Sequence, residues 1–127
     1  MYIEHVAFWV KDLEQSKQFY LEYFGGKAGP LYHNPEKQFT SYFISFESGA
    51  RLELMSNPDK KSSPNRKDQL GITHLAFSVG SNEKVNILTE RLRNDGYSIV
   101  SEPRTTGDGY YESVALDPEG NPIEITS

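Results

Sequence analysis

His5-Val6-Ala7-Phe8-Trp9-Val10 and His74-Leu75-Ala76-Phe77-Ser78-Val79 are two versions of one phrase, a histidine opening an alternating apolar strand. A second phrase also repeats: Gly49-Ala50-Arg51-Leu52-Glu53-Leu54-Met55 against Gly120-Asn121-Pro122-Ile123-Glu124-Ile125-Thr126. His74 lies 69 residues after His5, and Glu124 lies 71 after Glu53. Unrelated coincidences seldom share an offset, so the chain reads as a duplicated module.

Outward from these phrases, each half repeats its order of elements. Strands open the halves at Tyr2 to Val10 and at Ile72 to Gly80. A helix follows in both. In the first, Asp12 is the N-cap with Gln15 three residues on, and Leu13, Phe19, Tyr20, Tyr23 and Phe24 form an apolar stripe that Gly25-Gly26 ends. In the second, Ser81 or Asn82 caps, Val85, Leu88 and Leu92 make the stripe, and Asn94-Asp95-Gly96 stops it. Three strands then follow each helix, at Lys27 to Leu31, Gln38 to Glu47 and Ala50 to Ser56, and at Tyr97 to Ser101, Tyr110 to Asp117 and Pro122 to Thr126. The predicted fold is α+β: a single domain, 1–127, of two βαβββ modules (about 1–56 and 71–127), with curved mixed sheets around a cavity. The stretch 57–70, rich in Pro, Ser, Lys and Asn, reads as the linker, and Thr105 to Gly109 as a mobile loop.

A chain of 127 residues has room for one domain, and its 13% aromatic content supplies a core. Thirteen basic against eighteen acidic residues give a net charge of −5, spread along the chain, which argues against nucleic acid or an anionic membrane as partner. The absence of cysteine excludes disulfides, thiolate metal sites and a cysteine nucleophile. Any metal must be held by His, Asp or Glu. Neither a charged-then-apolar leader nor a membrane-length apolar run is evident, so a cytoplasmic protein is expected.

Strand alternation sorts the polar residues by face. His5 shares a face with Ala7 and Trp9, and His74 with Ala76 and Ser78. Glu53 sits between Leu52 and Leu54, and Glu124 between Ile123 and Ile125, so each carboxylate opposes an aliphatic pair suited to packing on a helix. All four therefore project from the face turned away from the helices. Two carboxylates in a partly dry cavity repel each other, and a divalent cation removes that conflict. His5, Glu53, His74 and Glu124 are thus the candidate metal ligands, suited to zinc or nickel first and also to cobalt, manganese or iron. The competing reading is that they are solvated residues on an ordinary sheet face. His33, in Tyr32-His33-Asn34-Pro35, has no counterpart in the second half and is expected on a surface loop; Asp117-Pro118-Glu119-Gly120 reads as a tight turn.

The whole chain resembles the vicinal oxygen chelate superfamily, which includes glyoxalase I, methylmalonyl-CoA epimerase, extradiol dioxygenases, and fosfomycin- and bleomycin-resistance proteins. The resemblance is carried by His5, by Gly71-Ile72-Thr73-His74-Leu75-Ala76-Phe77 and by Leu116-Asp117-Pro118-Glu119-Gly120-Asn121-Pro122-Ile123-Glu124. It implies half-barrels enclosing a metal, often in a homodimer whose site combines modules of both subunits. The order His, Glu, His, Glu is the one expected of glyoxalase I; dioxygenases lack a carboxylate at the place of Glu53, epimerases commonly have Gln there, and bleomycin-binding members lack the ligands.

The implied activity is a metal-dependent lyase or isomerase reaction on a small oxygen-chelating substrate, such as the hemithioacetal of methylglyoxal and a thiol. Glu124 is the favoured base, with Glu53 as its counterpart. Asn57 matches a glutathione-contacting Asn of glyoxalase I. Trp9 stands where that enzyme generally has an Arg for a glutathione carboxylate, which leaves Arg51 or Arg104 as the cation approaching substrate from elsewhere. Trp9, Phe46, Met55 and Tyr111 are expected to line an apolar pocket. A binding or resistance protein without chemistry, a dioxygenase and an epimerase are the alternatives.

Overall fold

In the computed structural model, which describes residues 1–61 and 70–127, the chain divides into two units, Met1–Pro64 and Asn65–Ser127. The first runs β1 (His5–Trp9), α1 (Leu13–Phe24), β2 (Lys27–Ala28), β3 (Tyr32–Asn34), β4 (Phe39–Ser45) and β5 (Arg51–Ser56). The second runs β6 (Leu75–Ser78), α2 (Asn82–Asn94), β7 (Ile99–Thr105), β8 (Tyr111–Leu116) and β9 (Pro122–Thr126). Sheet order is β1-β5-β4-β2, with β3 also paired to β4, in the first unit and β6-β9-β8-β7 in the second. In each, the first and last strands are parallel neighbours while the other pairings are antiparallel.

The second unit has the expected βαβββ order, but the first carries one strand more. The expected strand Lys27 to Leu31 stops at Ala28, and His33 lies in the short, exposed β3 rather than in a loop. Gly29 still donates its N–H to the Phe43 carbonyl at 2.8 Å, and Pro30, with no N–H to give, breaks the ladder there. The opening strands are also shorter than their apolar patterns, and β7 runs on to Thr105, so the expected loop keeps only its turn at Thr106 to Gly109. Most of the expected linker lies outside the described residues.

Both helices start and stop as their caps dictate. Asp12 accepts the Gln15 N–H at 2.9 Å, and Gly25, at φ 64°, ends α1 in the left-handed region. Ser81, rather than Asn82, caps α2 by accepting the Lys84 N–H at 3.2 Å. Helix α1 covers one face of its sheet, where Phe19, Tyr20, Ile44, Leu52 and Leu54 are buried; α2 does the same with Val85, Leu92, Ala115, Ile123 and Ile125. Each buried Phe, Val, Leu or Ile side chain among them contributes about 1.5–3 kcal/mol by leaving water. Thr89 spans α2 and β8: its hydroxyl donates to the Val85 carbonyl at 2.7 Å and accepts from the Ser113 hydroxyl in a buried 2.6 Å hydrogen bond.

This packing orients the acidic residues. Leu52 and Leu54, like Ile123 and Ile125, are buried against the helices, so alternation turns Glu53 and Glu124 to the opposite face. A register slip by one residue would drive each carboxylate into an apolar core.

The turn from α1 into β2 leaves no room for a side chain at Gly26. A Cβ there would stand 2.5 Å from Ile44 Cγ2 and 3.0 Å from the Tyr20 carbonyl oxygen, both held in the core. Gly26→Ala is expected to destabilise the protein by about 1–3 kcal/mol, read as a lower urea midpoint at unchanged slope.

Candidate functional site

Each unit brings one histidine and one glutamate together, in the same way. In the first, β1 and β5 pair with Ala7 opposite Glu53; in the second, β6 and β9 pair with Ala76 opposite Glu124. The histidine stands two residues before that alanine, whose small side chain leaves the space over which imidazole and carboxylate approach. His5 Nε2 lies 3.7 Å from Glu53 Oε2, and His74 Nε2 lies 3.4 Å from Glu124 Oε2. The carboxylates are mostly covered, with side-chain exposures of 15% and 17%, whereas the imidazoles are open at 40% and 44%.

The residue before each histidine occupies its other ring nitrogen. Glu4 Oε2 accepts from His5 Nδ1 at 2.5 Å, and Thr73 Oγ1 is hydrogen-bonded to His74 Nδ1 at 3.1 Å. A proton on Nδ1 leaves the Nε2 lone pair facing the glutamate, the arrangement in which an outer partner orients a metal-binding imidazole. Arg51 also donates to Glu4. The His5 hydrogen bond, helped by Arg51, holds the Glu4 carboxyl below the usual carboxylate range. Phe43 meets the His5 ring edge-on at 5.3 Å, and the Arg51 guanidinium lies over Phe43 at 4.1 Å. These two contacts fix the first imidazole from the sheet side.

The donor chemistry suits a divalent ion. Nitrogen and oxygen donors about 2.0–2.2 Å from one tetrahedral ion are separated by roughly 3.4 Å, close to what both pairs present. Each pair supplies two donors. Among the described residues, no group of three or more His, Asp or Glu side chains is placed to hold a metal.

Sequence reasoning missed Glu4 and Thr73, although each directly precedes a candidate ligand. It also missed Glu112, which is only 8% exposed. On β8, Glu112 is two places from Val114, the cross-strand partner of Glu124, so the two carboxylates share a face. Burial pushes the Glu112 carboxyl up, and the charge and hydrogen bond of Glu124 act in the same direction, against Arg104. Alternation along Tyr110-Tyr111-Glu112 held the signal, but only the register links it to Glu124.

The candidate substrate contacts are placed as follows. Trp9 is 42% exposed and meets Phe39 edge-on at 6.3 Å, with the Lys60 ammonium 4.9 Å from its ring centre. Asn57 donates through Nδ2 to the Lys37 carbonyl at 3.0 Å and accepts the Asp59 N–H at 2.8 Å. Arg104, on β7, lies 3.8 Å from Glu112 and donates to Ser101. Of the expected pocket around Trp9, Met55 is its strand partner, but Phe46 packs near Gly26. Tyr111 is on the helix-facing side of its sheet, because its hydroxyl donates to Asn86 of α2 at 2.8 Å. A shallow hollow of about 610 Å³ on α2, between Asn86 and Asp95, shares no residue with either pair.

No helix among the described residues is long and apolar enough to cross a membrane. The uncharacterized protein YwkD of Bacillus subtilis is 30% identical, over 97% of this chain and 94% of its own length. The lactoylglutathione lyase of Arabidopsis thaliana is 30% identical over 95% of this chain, which spans only 42% of that protein. Among solved structures, the trypanothione-dependent glyoxalase I of Leishmania major superposes with a TM-score of 0.80 at 27% identity, covering 100% of this chain and 86% of the other. The model of the Glyoxalase/Bleomycin resistance protein/Dioxygenase superfamily matches residues 2–125. Nearly the whole length being matched, the chain belongs to that superfamily.

Proposed function

We propose that the protein is a metal-dependent, glyoxalase I-like lyase or isomerase acting on a small substrate with two neighbouring oxygens, such as the hemithioacetal of methylglyoxal and a thiol. The observation that carries this reading is the repeated pair: in both modules an imidazole Nε2 faces a glutamate while the preceding residue occupies Nδ1. His5, Glu53, His74 and Glu124 would hold the ion, contributed by the modules of one chain or of two. Zinc or nickel suits this set best, with cobalt, manganese or iron as further candidates. When bound, the ion supplies polarisation of the two substrate oxygens, which acidifies the intervening carbon-bound proton.

The chain's own residues then do the following. Glu124 takes the proton from one carbon and returns it to its neighbour, a transfer a carboxylate makes within hydrogen-bond reach. Glu53 is its counterpart on the other side. Glu4 accepts the Nδ1 proton of His5 and so leaves its Nε2 lone pair free, and Thr73 orients the His74 ring through its own bond at Nδ1. Trp9, Asn57 and Arg104 frame the substrate: Trp9 gives an apolar edge, Asn57 an amide, and Arg104 a half-exposed cation for an anionic group. With Trp9 in place of an arginine, a thiol other than glutathione is a natural co-substrate. The working form in this reading is a cytoplasmic homodimer.

Elemental analysis of the purified protein tests the reading first. Wild type is expected to carry a stoichiometric divalent ion and His5→Ala to lose it; a wild type without any such ion overturns the proposal. Methylglyoxal assayed with glutathione and other small thiols, across nickel, zinc, cobalt and manganese, then identifies the substrate.

A further inference from the structure

We propose that Lys60, whose ammonium rests on the ring of Trp9, receives an anionic group of the substrate, so that the preferred substrate carries a carboxylate a few bonds from its two neighbouring oxygens. This role deepens the function proposed above and rests on it for the position of those oxygens. Alternation places Trp9 on the face of β1 that carries His5 and Ala7, and the register sets Ala7 beside Glu53 and Trp9 beside Met55. The ring contacts agree. Phe43, opposite Glu53, meets His5, and Phe39, four places earlier on the same face of β4, meets Trp9 edge-on. Trp9 therefore stands about 6.6 Å along β1 from the level of Glu53, two residues at the rise of an extended strand. On that face a side chain as large and apolar as Trp9 stays 42% exposed, with the Lys60 ammonium 4.9 Å from its ring centre.

The arginines near the donor pairs are already engaged. Arg51 donates to Glu4 and lies over Phe43; Arg104 is 3.8 Å from Glu112 and donates to Ser101. Lys60 has no carboxylate partner among the described residues. A ring face attracts an ammonium without neutralising it, and the N–H groups turned away from the ring remain for an anion. The backbone keeps Lys60 in place. Its N–H donates to the Asn57 carbonyl at 3.1 Å, closing a turn directly after β5. The Asn57 side chain accepts the Asp59 N–H and donates to the Lys37 carbonyl, which ties that turn to the hairpin of β3 and β4. Phe39, itself packed on Tyr32 at 5.7 Å, holds the Trp9 ring from the side. A cation ordered before the ligand arrives loses less freedom on binding than a lysine waving in water. One ammonium matches the single charge of a carboxylate, whereas a phosphate would leave a charge unmet.

Trp9 is the chain's one tryptophan, so its emission reports binding beside Lys60 directly. The probes are 2-hydroxyadipate and 2-hydroxyhexanoate, which share a chelating hydroxy-acid end and a six-carbon chain and differ in the distal carboxylate. Titrated at low salt into the zinc-loaded full chain, 2-hydroxyadipate is expected to bind about 5- to 10-fold more tightly than 2-hydroxyhexanoate. Lys60→Met is expected to bind the two within about twofold of each other, with an unchanged circular dichroism spectrum. Lys60→Arg should keep the preference, as should Lys27→Met, which removes the same charge from β2 at the opposite edge of the sheet. A wild type that binds neither probe, or both equally, overturns the proposal while leaving the metal reading in place. So does a preference that survives in folded Lys60→Met, or in Lys60→Gln should the methionine variant fail to fold. A wild type that takes up no zinc overturns the reading beneath, and the same titrations on metal-free protein then decide for Lys60: a preference lost in Lys60→Met supports the anion site, and no preference overturns it.

Discussion

Glu124→Gln is expected to lower kcat by about 10²- to 10⁴-fold, with metal content reduced but not abolished. The substitution preserves size and leaves an oxygen to face His74, but an amide cannot take up a proton at neutral pH. Turnover should therefore fall much more than substrate affinity, a pattern read from kcat and KM determined separately. Glu53→Gln is the internal control, because the duplication gives both glutamates the same place beside a histidine. If Glu124 alone carries the proton, the Glu53 variant loses turnover chiefly in proportion to lost metal, and added metal restores it. Full activity in Glu124→Gln rejects the assignment of the base.

The second large effect concerns stability. Asp117 is buried at 4% exposure in the turn between β8 and β9, where its carboxylate accepts three hydrogen bonds: from Glu119 N at 2.9 Å, Asn121 N at 2.8 Å and Asn121 Nδ2 at 2.8 Å. Gly120, at φ 80°, completes the reversal. Asp117→Ala strands those donors, and charged hydrogen bonds of this kind contribute about 1.5–3 kcal/mol each without being additive. A loss of about 3–5 kcal/mol is expected in urea unfolding, a large part of a typical domain's total stability. Asp117→Asn, which keeps one oxygen acceptor, should lose markedly less. An alanine variant within 1 kcal/mol of wild type would mean that water replaces the carboxylate in the turn.

The same residues explain what could be read before the fold was known. The duplication was legible because His5 with Glu53 and His74 with Glu124 recur at nearly one offset, and the faces followed from Leu52 and Leu54, Ile123 and Ile125 flanking each glutamate. Caps were legible because Asp12, Ser81 and Gly25 act on backbone within a few residues. Contacts set by cross-strand register were not. Glu112 reaches Glu124 only because Val114, not its neighbours, stands opposite, and no local pattern states that pairing. Tyr111 was misjudged for the same reason: either parity of β8 was open until Ser113 was found against Thr89 of α2. The extra strand at Tyr32–Asn34 was hidden because Gly29-Pro30 reads equally well as a loop.

The parallel contact between the first and last strand of each module has a kinetic consequence. His5 and Glu53, or His74 and Glu124, become neighbours only when the final strand docks, closing a loop that contains every other element of the module. Such long-range closure is slow and late in folding. During synthesis the donors therefore meet only after the rest of a module has been made, so that capture of an ion would report completed folding rather than seed it.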